Sequence, residues 1–323
     1  MSDSNATIIV ALDGSELAER ALPFAISIAR RAGTRGRVEL VHVHDEGVLA
    51  PNAPMTDSRW EDEGAAEMDA TLQALAERLA RETGLGVTAV TLRGPTADSL
   101  MQHAASRAAD LIVMTTHGRS GFSRAWFGSV AERVIHTATT PVLVVRTGEH
   151  ERAAVAEPLF HHVLLPIDRA PWGAEALQRA LAFGTPGRTA YTLLTVVSPI
   201  PVLPPPFSDP GVFVAQDGPA RRTARANELL ERLAAPARSA GAAINVRVVT
   251  DGRTAPAILE VVSESGADLI VLPTHQRGPF SRGLLGSVVD KVMRGATVPL
   301  LLFRAAHTSA NPPEMRGAEG DGA

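Results

Sequence analysis

Short apolar runs recur along the chain, separated by longer stretches of mixed character. In the first half they fall at 7–12 (TIIVAL), 37–43 (RVELVHV), 87–92 (VTAVTL), 110–115 (DLIVMT) and 141–146 (PVLVVR). Between them, 16–32, 60–83, 95–108 and 128–139 space their apolar residues three and four apart, as a helix with one buried face requires. Brief strands that are apolar throughout, alternating with helices, predict a parallel sheet covered on both faces. The second half repeats the alternation, with strands at 161–167, 189–197, 244–250, 268–272 and 299–303. One long irregular stretch interrupts each half, at 44–59 and 198–219. Loops of that length tend to carry function.

The repetition extends to the residues themselves. Residues 93–146 align without a gap on 251–304, with 23 identities in 54 pairs. The segment ATIIVALDGS (6–15) answers HHVLLPIDRA (161–170). A repeat this long is a whole domain, well beyond the ~20–50 residues of a solenoid unit. The expected organisation is therefore a first domain over 1–148, a second over 159–306, and a polar, disordered tail over 307–323.

Composition narrows the chemistry. The 323 residues include no cysteine, which removes disulfides, cysteine-ligated metals and thiol nucleophiles. Aromatics are 4% of the chain, so the core is built from aliphatic side chains. A net charge of −4 offers no field to draw in nucleic acid or an anionic membrane. No signal peptide or stretch of about 18 apolar residues is seen, so the chain reads as soluble and cytoplasmic. Of the 31 lysines and arginines, Lys291 is the one lysine, and Val292 follows it. A Walker A loop needs Gly-Lys-Ser/Thr, so any phosphate here must be held by backbone N–H groups, a helix start or arginine.

Ligands of open parallel sheets bind beyond the carboxyl ends of the strands. Strand 1 ends in Asp13-Gly14-Ser15, which also suits a simple helix start. Strand 4 ends in Thr115-Thr116-His117-Gly118-Arg119-Ser120-Gly121, and Gly128-Ser129-Val130 opens the next helix. The glycines permit close backbone approach, the helix start favours an anion, and Arg119 and Arg124 add charge. A glycine-rich turn followed by a serine cap fits the same spacing.

These segments resemble the universal stress protein family. The likeness rests on IIVALDGSE, LVHVHDE and THGRSGFSRAWFGSVAERVIHTATTPVLVV. It covers most of 5–147 and, more weakly, 160–305. The family's ATP signature runs Gly, two residues, Gly, nine residues, Gly-Ser/Thr. Gly118 and Gly128-Ser129 match it, while Thr115 stands at the first glycine. The resemblance implies strand order 3-2-1-4-5 in each of two tandem open five-stranded parallel sheets. It implies that the fifth strands meet across a two-fold axis, making the chain an intrachain pseudo-dimer. A homodimer of such chains stays open.

The resemblance also implies an ATP site, with Mg²⁺ as the phosphates' companion. Asp13 lies near the adenosine, and the backbone of Val43 meets adenine. Thr115, His117, Gly118, Arg119, Gly128, Ser129 and Val130 surround the phosphates. No residue is assigned to catalysis or to a metal. In the second half Pro273, Gln276 and Pro279 replace Thr115, Gly118 and Gly121, so ATP is expected to bind weakly there or not at all. The expected role is a non-enzymatic stress-response protein whose nucleotide orders the long loops and whose protein partners are unnamed. Alternatives are a nucleotide-free interaction scaffold of the same fold and, with less support, an adenosine-nucleotide hydrolase. The hydrolase would need a Ser-Gly-Gly loop after strand 1.

Overall fold

In the computed structural model, described residues are 6–33, 36–45, 58–116, 128–146, 159–168, 170–199, 218–274 and 286–305. The strands of the first half are β1 (Ala6–Ala11), β2 (Gly36–His44), β3 (Gly86–Arg93), β4 (Leu111–Thr115) and β5 (Val142–Val145). Those of the second are β6 (His162–Pro166), β7 (Ala190–Val197), β8 (Ala243–Thr250), β9 (Leu269–Thr274) and β10 (Leu300–Arg304). The helices of the first half are α1 (Glu16–Glu19), α2 (Leu22–Arg31), α3 (Ser58–Thr83), α4 (Thr96–Ser106) and α5 (Ser129–Thr137). Those of the second are α6 (Ala170–Phe183), α7 (Pro219–Ser239), α8 (Thr254–Ser265) and α9 (Ser287–Gly295).

The ten strands among the described residues form one sheet in the order β3-β2-β1-β4-β5-β10-β9-β6-β7-β8. Each half has the expected 3-2-1-4-5 order, and every pairing within a half is parallel. The seam is the antiparallel pair β5–β10, with Leu301 opposite Leu143. The fifth strands meet as expected, and their pairing joins the two five-stranded sheets into one continuous sheet. The apolar fifth strands would otherwise be open edges, and pairing satisfies their backbone groups.

Alternation along β1 sends Ile8, Val10 and Leu12 into one core layer and Ile9 into the other. α2, α3, α6 and α7 cover the first face, and α4, α5, α8 and α9 cover the second. Both layers run through both halves. Phe24 of α2 stacks on Phe160 at a centroid distance of 6.1 Å. Arg31, at the end of α2, donates to the carbonyls of Phe183 and Gly184 at the end of α6. At the outer edges, Gln73 donates to the Ala89 carbonyl at 3.3 Å and Arg238 to that of Ile244 at 2.8 Å. These bonds occupy strand-edge acceptors that could otherwise recruit another chain.

The helix expected over 16–32 is two helices. Pro23, at the start of α2, has no N–H for the Glu19 carbonyl, and its ring crowds that carbonyl. The second half has Gln178 at this place, and α6 runs unbroken.

Candidate functional site

The site is best assembled from strand register. β1 pairs with β2 through Val10–Leu40 and with β4 through Val10–Val113. Three residues further along each strand, Asp13, Val43 and Thr116 stand level at the carboxyl edge. Here the chain leaves β1 for one side and β4 for the other, so the crevice lies at the switch point.

Asp13 is half-buried in a closed turn. Its Oδ1 accepts the Ser15 N–H at 3.0 Å and the Ser15 hydroxyl at 2.6 Å. Ser15 Oγ in turn accepts the Ala18 N–H at 3.2 Å, capping α1. The reversal needs Gly14 at φ +80°, a region that costs any residue with a Cβ. The helix-start reading of Asp13-Gly14-Ser15 is thus realised, and the same turn fixes the carboxylate at the crevice. The second half keeps Asp168 but has Arg169 and Ala170 after it, so the serine that clamps Asp13 has no counterpart there.

Val43 contributes its backbone. In a parallel ladder a residue directs both its N–H and its C=O to one neighbouring strand, and the next residue directs them to the other. Leu12 donates to the Val41 carbonyl at 2.9 Å, so Val41 and Val43 face β1. Gly94 donates to the His44 carbonyl at 3.0 Å, so His44 faces β3. At Val43 the β1 chain has already turned away. The carbonyl that would continue the ladder, Leu12 O, accepts from His42 Nδ1 at 2.9 Å. A carbonyl only accepts, so the proton lies on Nδ1. The N–H and C=O of Val43 are therefore directed into the crevice.

On the β4 side, Thr116 N–H donates to the Val145 carbonyl at 3.3 Å, and Thr116 O accepts the Gly128 N–H at 2.9 Å. This bond ties the start of α5 to the end of β4. Gly128 is the N-cap, with φ −61° and ψ 147°, and Ser129 is the first helical residue. The serine-cap expectation is corrected: Ser129 lies one place too late to cap, and its side chain is exposed. Gly128 has a backbone open to any residue, and among the described residues an added Cβ would meet Thr116 O, at an ordinary 3.6 Å. Nothing in the described fold requires a glycine there.

Thr115 is buried, and alternation places it on the Leu111–Val113 face, opposite the layer that holds α5. Val130 is half-buried in the first turn of α5. His117, Gly118 and Arg119 lie outside the described residues, as do Gln276 and Pro279. Asp13, Val43, Gly128, Ser129 and Val130 belong to segments brought to one edge by the fold. Three further residues shape it: Ser15, His42 and Thr116. Their signal in the sequence was position alone, each adjoining or lying within two residues of an assigned residue.

Among the described residues no group of three or more His, Asp or Glu side chains could hold a metal ion. No helix among them is long and apolar enough to cross a membrane.

The fold and the edge define a parallel α/β domain with a crevice at its switch point, built twice in one chain. The family model of the universal stress proteins matches residues 5–146 and again 159–304, and the chain belongs to that family. Universal stress protein Rv2005c of Mycobacterium tuberculosis is 27% identical over 304 residues, covering 92% of this chain and 96% of that one. Universal stress protein MJ0531 of Methanocaldococcus jannaschii is 33% identical over 147 residues, covering 45% of this chain and 84% of that one. A crystal structure of a universal stress protein from Archaeoglobus fulgidus shares the fold, with a TM-score of 0.68 at 20% identity. That match covers 94% of this chain and all of the other.

Proposed function

We propose that the first half binds ATP at the β1–β4 crevice and acts in the stress response by binding, without turnover. The observation that carries this is the backbone of Val43, whose N–H and C=O face the crevice as an adjacent donor and acceptor. Buried or ligand-facing backbone groups must be paired, and an adenine edge offers the matching acceptor and donor. The first turn of α5 presents N–H groups that the helix itself does not pair, at its positive end, which suits phosphates. Gly128 supports this: among the described residues nothing crowds a Cβ there, and a bare backbone leaves the helix start open to a phosphate. His117, Gly118 and Arg119 complete the proposed phosphate contacts. Mg²⁺ would be held by phosphate oxygens and water.

The test is direct. Purified protein is denatured and its supernatant assayed for adenine nucleotide, and ATP is titrated by calorimetry. One ATP per chain is expected in the first half, lost in Gly128→Asp with the circular dichroism spectrum intact. Absence of binding would leave the scaffold reading in its place, and rapid release of ADP would overturn binding without turnover.

A further inference from the structure

The second half repeats the base-facing part of the crevice while departing in the phosphate part. Ile167 donates to the Leu194 carbonyl at 2.7 Å, and Asp251 donates to the Val197 carbonyl at 3.1 Å. By the same alternation, the N–H and C=O of Val196 face β6 where its chain has turned away. Here Thr195 donates its hydroxyl to the Ile167 carbonyl at 2.7 Å. This is the task His42 performs on Leu12 in the first half. Two different side chains thus occupy the same acceptor, and each leaves a valine backbone pair directed at a crevice. On the phosphate side, Pro273 cannot donate, Gln276 replaces the close-approach glycine, and Asp168 lacks the serine clamp.

We propose that the second half is a site for a purine nucleoside without phosphates, held at its base edge by Val196. The inference deepens the nucleotide reading of the first half and rests on it. The chemistry that would recognise the ligand is the neutral donor–acceptor pair of Val196. α9 keeps a Gly286–Ser287 helix start like that of α5, but Pro273, Gln276 and Pro279 replace Thr115, Gly118 and Gly121, and Asp168 has no serine two residues on. Adenosine is the natural probe.

Calorimetry on the full chain separates the two halves. Val43→Pro deletes the base-facing donor of the first half, and Val196→Pro deletes that of the second. Neither removes an N–H that pairs with an adjacent strand. Wild type is expected to bind two adenosines, each single variant one and the double variant none. ATP is expected to bind wild type and Val196→Pro once, and Val43→Pro far more weakly. Thr195→Val, a gentler change, frees the Ile167 carbonyl to compete for the Val196 N–H. It should weaken the second adenosine site by about 2–10-fold, the worth of one neutral hydrogen bond. If Val43→Pro is folded and binds no adenosine while wild type binds ATP, this inference fails and the first-half reading stands. If Thr195→Val and Val196→Pro leave adenosine binding unchanged, the inference also fails. If wild type binds no ATP but Val43→Pro binds adenosine, the first-half reading fails and the second-half site stands.

Discussion

Glu39 lies in the middle of β2, 4% exposed, facing α4. Its Oε1 accepts from Arg107 at 2.6 Å and 3.2 Å, and its Oε2 accepts from His103 at 2.7 Å. Burial alone would push this carboxyl up. The hydrogen bonds from Arg107 and His103, with the attraction of their charges, outweigh it and hold the group below the usual carboxylate range. Removing one member of a buried ion pair costs about 3–5 kcal/mol when the other is stranded. Here the Arg107 side chain is 53% exposed and regains water. His103 is 13% exposed and does not. Glu39→Gln keeps the shape and one acceptor but turns an amide donor toward a donor. The expected loss is about 2 kcal/mol at pH 7, near the worth of one charge-assisted hydrogen bond. Because the folded carboxyl titrates below the unfolded one, its stabilisation is complete above the unfolded value of about 4.3 and is lost as pH falls through the folded value. Urea denaturation across pH should show a constant gap between wild type and variant from pH 7 to about 5, closing below about 4. A gap under about 0.5 kcal/mol at neutral pH, or one that persists undiminished to pH 3, would refute the reasoning.

Gly36 and Gly128 should respond oppositely to alanine. A Cβ at Gly36 drives into the Ala29 carbonyl of α2, so Gly36→Ala should lower thermal stability sharply, whereas Gly128→Ala should leave the melting temperature unchanged. Ser15→Ala removes the cap of α1 and one bond to Asp13, and should cost about 0.5–2 kcal/mol in urea titrations. Leu301→Asp puts a charge where Leu143 and Leu301 are both fully buried; scanning calorimetry should show a large drop in melting temperature, or the halves melting separately.

Much of the fold could be read from runs of apolar residues because parallel strands buried on both faces leave few polar interruptions. β2 shows the limit. Glu39 and His42 look like solvent-facing breaks in RVELVHV, yet one is buried against Arg107, 68 residues away, and the other closes a strand end. Their partners are brought near by topology, which no local pattern encodes. The division of 16–32 was present in Pro23 and was outweighed by otherwise good helical spacing. The site was legible as motif positions, from resemblance. Which atoms of Val43 face the crevice followed only from the register of three neighbouring strands.

The β5–β10 seam has a consequence for how such a molecule can change. When identical chains pair through a shared edge, any substitution appears in both partners, and a loss of ligand contacts is suffered twice. A covalently joined pair is free of that constraint. One copy can keep Gly14-Ser15 and Gly118 while the other drifts to Arg169-Ala170 and Gln276, because the mate that buries its edge never dissociates. The fused seam thereby turns a symmetric assembly into one whose two crevices, pointing in opposite directions across an antiparallel joint, can specialise separately.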